Sequence, residues 1–269
     1  VQVFKGEYHR KFMLQLISSQ LDMDRMDYLK RDSYYSGVAE GNVNSERLIQ
    51  MMNVVDDYLV IEEKGIYSVE KFLMSRRLMY WQAYLHKTSL VAELILMRIL
   101  KRAKEITLKG VSLSCSEPLL FFLQNKVTLQ TFDTETLDLF AQLDDFDIIG
   151  ALKSWQKNDD FILSSLSKMI VNRDLLKIKL SSEKIANEEL LPLKERFAAE
   201  NEISILDTNY FIFKGKIKNQ AYDKEIEPIR ILKKDNTVED VIESSDQLNL
   251  KSLSKSVTKY YICFPKQVL

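Results

Sequence analysis

The chain has 269 residues, 46% hydrophobic and 29% charged, with 38 bases against 39 acids and a net charge of −1. That is globular composition, long enough for one or two cores, with no repeat or low-complexity tract. Balanced charge gives no call for nucleic acid or an anionic membrane surface as partner, and no apolar run reaches the roughly 18 residues of a membrane helix.

Residues 8–32 read as one helix, with Phe12, Leu14, Leu16, Ile17 and Leu21 as an apolar stripe ahead of an acidic face. A polar, Gly-containing stretch, 33–44, breaks it, and Asn44 caps a short helix to Met52. Residues 58–62 (YLVIE) are β-like, with a turn at 63–65 and a hairpin partner expected around Ile66-Tyr67. Ser68 then caps one long helix to Thr107, because neither Gly nor Pro interrupts it; Lys109-Gly110 ends it.

Residues 117–124 form a helix with Pro118 in its first turn. Three short amphipathic helices follow at 134–143, 144–156 and 160–170, anchored by Phe146 and Trp155. Residues 173–180 end as a strand. Residues 183–201 read as a charged helix divided or kinked at Pro192. Beyond it lie β-like runs at 210–213, 226–231 and 260–264, with an acidic helix or turn at 237–244. The expected fold is mainly α: a partial helical bundle over 1–107, a helical lobe over 108–180 and a small α+β appendage over 181–269.

Cys115 and Cys263 stand apart and form no CxxC pair, which fits free or buried thiols in a reducing cytoplasm. The first residues have no signal-peptide layout.

Two faces draw attention. On a helix, Asp24, Arg25, Tyr28 and Asp32 share an arc of about 100°, while Met23, Met26 and Leu29 point inward. Arg76, Tyr80, Tyr84 and Lys87 follow at steps of four, four and three, within about 80° on an ideal helix. A cation can fork onto phosphate oxygens and a ring can lie against a sugar or base, which suits an anionic nucleotide. The plainer reading of both patterns is a solvated helix face with ion pairs and packing tyrosines.

The run Asp22-Met23-Asp24-Arg25-Met26-Asp27-Tyr28-Leu29-Lys30-Arg31-Asp32, followed by Gly37, resembles the last motif block of the HD-domain phosphohydrolases. The branch it resembles includes the deoxynucleoside triphosphate triphosphohydrolases, where the block reads D-x-D-[KR]-x-D-Y-x-x-R-D. The stretch RRLMYWQAYLHK looks like that branch's R-x(7)-Y-x-H-K run. The resemblance implies Asp24 as a metal-binding carboxylate, Arg25 and Arg76 on substrate phosphate, and Tyr28, Asp32 and Tyr84 around the sugar. Tyr80 stands where some relatives have His, which leaves proton transfer or substrate choice open. His86 and Lys87, with Arg47, fall where tetrameric relatives form a regulatory nucleotide site between subunits.

The family also carries a His and a His-Asp pair upstream. Here the two histidines, His9 and His86, precede Arg10 and Lys87, so that pair is absent from this sequence. The chain is therefore expected to be the C-terminal part of a longer protein, or else a homologue lacking the metal site. The resemblance implies a divalent metal (Mn, Fe, Mg, Ni or Zn), a nucleotide substrate and a homo-oligomer, dimer or tetramer. Release of triphosphate from a deoxynucleotide is the implied activity. The alternatives are nucleotide binding without hydrolysis and a role in assembly.

Overall fold

The computed structural model describes residues 1–223, 225, 227–246 and 254–268. Helix α1 (Lys11–Ile17) and helix α2 (Met23–Ser36) stand where one helix was expected over 8–32. The break has a local cause: the Asp22 carboxylate accepts from the Ser19 amide at 3.1 Å, and the Ser19 hydroxyl from the Leu21 amide at 3.2 Å. Such side-chain bonds offer the backbone an alternative to the helical ladder. Asp22 then caps α2 through the Arg25 amide at 2.7 Å. Gly37 ends α2 at φ 72°, a left-handed conformation that glycine takes without a Cβ clash.

Asn44 caps α3 (Ser45–Gln50) as its sequence position predicts. Strands β1 (Met52–Val55) and β2 (Tyr58–Glu62) pair antiparallel around Asp56 and Asp57, both at positive φ as a tight two-residue hairpin requires. The partner of 58–62 therefore precedes it; Ile66 and Tyr67 instead open α4 (Ile66–Met79), ahead of the expected Ser68 cap.

The expected uninterrupted helix to Thr107 is also corrected. After α4 the chain makes a π-helical turn, Tyr80–Tyr84, in which the Leu85 amide reaches the Tyr80 carbonyl at 2.6 Å. Leu85 leaves helical geometry, and α5 (Lys87–Thr107) starts afresh.

Helices α6 (Glu117–Gln124), α7 (Thr134–Ala141), α8 (Asp145–Trp155) and α9 (Phe161–Val171) lie close to expectation, the last three capped by Asp133, Asp144 and Asp160. Trp155 is an anchor at 1% exposure; Phe146, at 83%, is not. Strand β3 (Lys177–Ser181) precedes α10 (Leu191–Asn201). Pro192 sits in the first turn of α10 rather than in the middle of a longer helix, since a first turn has no amide bond to lose.

Of the expected run at 210–213, Tyr210 ends a 3-10 turn, Asp207–Tyr210, and Phe213 opens the strand β4 (Phe213–Asn219). Strand β5 (Arg230–Leu232) is the described end of the run at 226–231, whose residue 226 lies outside the described residues. β6 (Val238–Asp240), the single turn α11 (Val241–Ser244) and β7 (Val257–Phe264) complete the chain.

With about 51% helix and two small sheets, the protein is mainly α with an α+β portion. Two compact units share the chain: residues 1–86 with 217–258, and residues 87–216 with 259–269. The cuts differ from the consecutive segments 1–107, 108–180 and 181–269, because β5 and β6 belong to the N-terminal unit.

In the first unit the sheet order is β1-β2-β5-β6, with β5 parallel to β2 and Ile231 beside Ile61. Its core is built on α4, whose Phe72, Leu73 and Met79 are fully buried with Met26 and Leu29 of α2. In the second unit α5 buries Ile95, Ile99 and Ala103 among α6 and α9. The sheet β3-β7-β4 lies mostly in that unit.

Candidate functional site

The site lies in the first unit, where α2 meets α4 and the π-turn. One side of α2 buries Met26 and Leu29, which leaves Arg25, Tyr28 and Asp32 half-buried on the adjoining side. Gly41 lets the two helices approach. A Cβ there would come within 2.8 Å of the Ser33 Cβ on α2 and 2.7 Å of the Met79 Sδ on α4.

The two faces join through their tyrosines. Tyr84 donates its hydroxyl hydrogen to Asp32 Oδ2 at 2.6 Å. Its ring stands edge-on to Tyr28 at 6.1 Å and to Tyr80 at 5.2 Å, geometries that aromatic quadrupoles favour. Arg76 and Arg25 both bear on the Tyr28 phenol electrostatically. Arg25, Tyr28, Asp32, Arg76, Tyr80 and Tyr84 thus form one cluster.

Electrostatics keep the phenols neutral. Burial raises the Tyr28 pKa, and the nearby Tyr80 adds to this, while Arg76 and Arg25 oppose it. Burial raises Tyr84 further, reinforced by the hydrogen bond to Asp32 and by that carboxylate's charge. Both remain protonated donors at neutral pH.

The two arginines are held differently. Arg25 Nε donates to the Ser19 carbonyl at 2.7 Å and to the Asp22 carboxylate at 3.1 Å. Asp22, only 4% exposed, therefore aims Arg25 as well as capping α2. Asp22 has no role among those the motif implies, although its place as first acid of the D-x-D pair is a signal for one. Arg76 Nη1 donates to the Ala221 carbonyl at 3.2 Å, and its buried Nε has no hydrogen-bond partner among the described residues. A buried donor without a partner carries a desolvation cost of about 1–3 kcal/mol, so it is a point where an added acceptor stabilises the site.

Asp24 is exposed in the first turn of α2 beside Arg25, a position that by itself suits the positive end of a helix. Among the described residues no three His, Cys, Asp or Glu side chains converge as a metal site. The residues present do not complete the implied divalent centre. Arg47 and His86 are exposed, and Lys87 is the exposed first residue of α5, in the second unit. The π-turn and the break after it take Arg76, Tyr80, Tyr84 and Lys87 off the single ideal helix on which they were expected.

Residues 43–113 match the family model described as HD associated region. A Bacteroides thetaiotaomicron crystal structure named as a phosphohydrolase is 47% identical, with TM-score 0.92, over 98% of this chain and 66% of its own. The Bacillus subtilis protein YwfO is 32% identical over 278 residues, 100% of this chain and 61% of YwfO. A Dictyostelium discoideum protein named deoxynucleoside triphosphate triphosphohydrolase SAMHD1 homolog is 31% identical over 81 residues, 29% of this chain and 16% of that protein. The chain thus spans less than two thirds of YwfO and of the Bacteroides chain.

These similarities support an HD-domain phosphohydrolase family. HD-type phosphohydrolases generally use divalent metals. The HD-associated region includes Arg76, Tyr80 and Tyr84; the acidic motif of α2 precedes it. No helix among the described residues is long and apolar enough to cross a membrane.

Proposed function

We propose that the face between α2 and the α4–π-turn segment binds the sugar and phosphates of a nucleotide, and that the complete protein hydrolyses deoxynucleoside triphosphates to deoxynucleoside and triphosphate. The observation that carries this reading is the Tyr84–Asp32 hydrogen bond, which ties the two faces into one cluster flanked by Arg25 and Arg76. Arg25, fixed by Asp22, and Arg76, with its unpartnered Nε, neutralise charge on the phosphates. Asp32 gives one oxygen to Tyr84 and keeps the other for a sugar hydroxyl. The Tyr84 ring lies under the sugar, and Tyr28 fixes its other side, so the α-phosphorus is held in one position.

Asp24 is the one metal ligand this reading draws from these residues; the others would come from the third of the relatives' length that the chain does not span. The proposal includes a cytoplasmic homo-oligomer, dimer or tetramer, with Arg47, His86 and Lys87 at a regulatory nucleotide site, on the sequence resemblance alone.

The test is to incubate the full-length protein with Mn²⁺ and each of the four deoxynucleotides and to assay triphosphate. Asp24→Ala is expected to abolish turnover with an unchanged circular dichroism spectrum. Retained turnover would remove Asp24 as a ligand. A second reading is nucleotide binding without hydrolysis. Nucleotide binding with no triphosphate release would select it.

A further inference from the structure

Helix α5, in the second unit, carries two arginines one turn apart in very different settings. Arg102 is neutralised: both Asp160 oxygens accept from it, the closest at 2.6 Å, with Glu105 at 3.6 Å and Asp207 at 3.8 Å. Arg98 is half-buried, yet no carboxylate among the described residues pairs with it. Its guanidinium lies 3.1 Å from the centroid of the Phe213 ring, and Nη1 donates to the Leu94 carbonyl at 2.9 Å. Burial lowers its pKa, the expected response of a cation that lacks a counter-charge.

Beside Arg98 is a hollow of about 220 Å³, lined by Met97, Arg98, Lys101, Asn209 and Tyr210. Water occupies roughly 30 Å³ per molecule in the liquid, so the space suits something larger. Lys101 lies on the same face of α5, one turn on, with its ammonium 3.9 Å from Glu105, a carboxylate already shared with Arg102 and with the Tyr210 hydroxyl. Lys194 reaches the rim, donating to Asn209 Oδ1 at 2.6 Å. Positive charge therefore exceeds negative around the hollow. A guanidinium fork and an ammonium three residues apart match a group bearing several anionic oxygens better than a single carboxylate.

We propose that this hollow binds a small phosphate-bearing polyanion, with Arg98 forking onto the phosphate oxygens, Lys101 supplying the second charge, and Tyr210 and Met97 flanking the remainder. The ligand is either free inorganic phosphate or diphosphate, or the phosphate arm of a nucleotide. The site does not depend on the reading given for the first unit.

Calorimetric titration of the full-length protein with orthophosphate, inorganic diphosphate and ATP tests it. Saturable binding of diphosphate or ATP is expected, weakened at least tenfold by Lys101→Glu and lost in Arg98→Gln, with Arg76→Gln leaving it in place. Because Arg98 packs on Phe213, Lys101→Glu, at an exposed position, decides the matter if Arg98→Gln fails to fold. Binding of diphosphate alone identifies the free anion; binding of ATP alone identifies a nucleotide. No saturable binding of any probe, equal affinity in Lys101→Glu, or loss only in Arg76→Gln would overturn the proposal.

Discussion

The Tyr84–Asp32 pair fixes a ring and a carboxylate with a single 2.6 Å bond between chain segments 52 residues apart. A net hydrogen bond to a charged acceptor contributes about 1.5–3 kcal/mol. Tyr84→Phe is therefore expected to weaken deoxynucleotide binding by roughly tenfold or more while the ring packing survives. Calorimetry with a non-hydrolysable deoxynucleotide checks this; unchanged affinity would show that the hydroxyl plays no part. The raised pKa values of Tyr28 and Tyr84 give a pH dependence with a definite sign. Below about pH 10 these phenols are protonated in both states. Above it the unfolded chain loses its protons first, so stability falls as pH rises toward the folded-state values. Urea midpoints at increasing pH should decline as pH rises past the unfolded tyrosine value of about 10. Spacing and motif pick out Arg25, Tyr28, Asp32, Arg76 and Tyr84, and the structure gathers them in one cluster. What was not legible is how they are held: Arg76 leans on Ala221, 145 residues away, and no local pattern reports such a partner.

At the scale of elements, the sequence was readable wherever caps and punctuation set the boundaries. Asn44, Asp133, Asp144 and Asp160 each cap a helix near its expected start. Reading failed where a helix breaks without Gly or Pro. The loop at 18–22 is set by Ser19 and Asp22 taking up backbone amides, and the π-turn, where Tyr80 and Tyr84 stand edge-on, is announced by no residue of RRLMYWQAYLHK. Gly41 shows the opposite case, an unremarked residue that sets the spacing of α2 and α4. Gly41→Val is expected to cost about 1–3 kcal/mol by overpacking. It should also weaken nucleotide binding, since Ser33 and Met79 flank the cluster's two helices. A thermal melt beside a binding titration separates the two effects, and a variant as stable as the parent would contradict the close approach.

At the scale of the whole molecule, the three consecutive segments expected from the sequence give way to two interleaved units, because residues 217–258 belong with residues 1–86. Texture along the chain revealed that the C-terminal part is β-rich, but pairing partners far apart in sequence leave no local trace. Ile231 is fully buried in β5 beside Ile61 of β2. Ile231→Ala is expected to cost about 2–5 kcal/mol and to loosen the core beneath α4, despite the distance in sequence. Hydrogen exchange should show α4 amides losing protection; a change confined to β5 would count against one shared core. The parallel pairing of β2 with β5 also has a bearing on synthesis. At roughly 5–20 residues per second, the ribosome takes on the order of ten to thirty seconds to deliver β5 after β2 has emerged. Throughout that interval the inner edge of the hairpin stays bare while all of α5 to α10 is made, so the nascent polypeptide has reason to engage a holding chaperone before its N-terminal half can close.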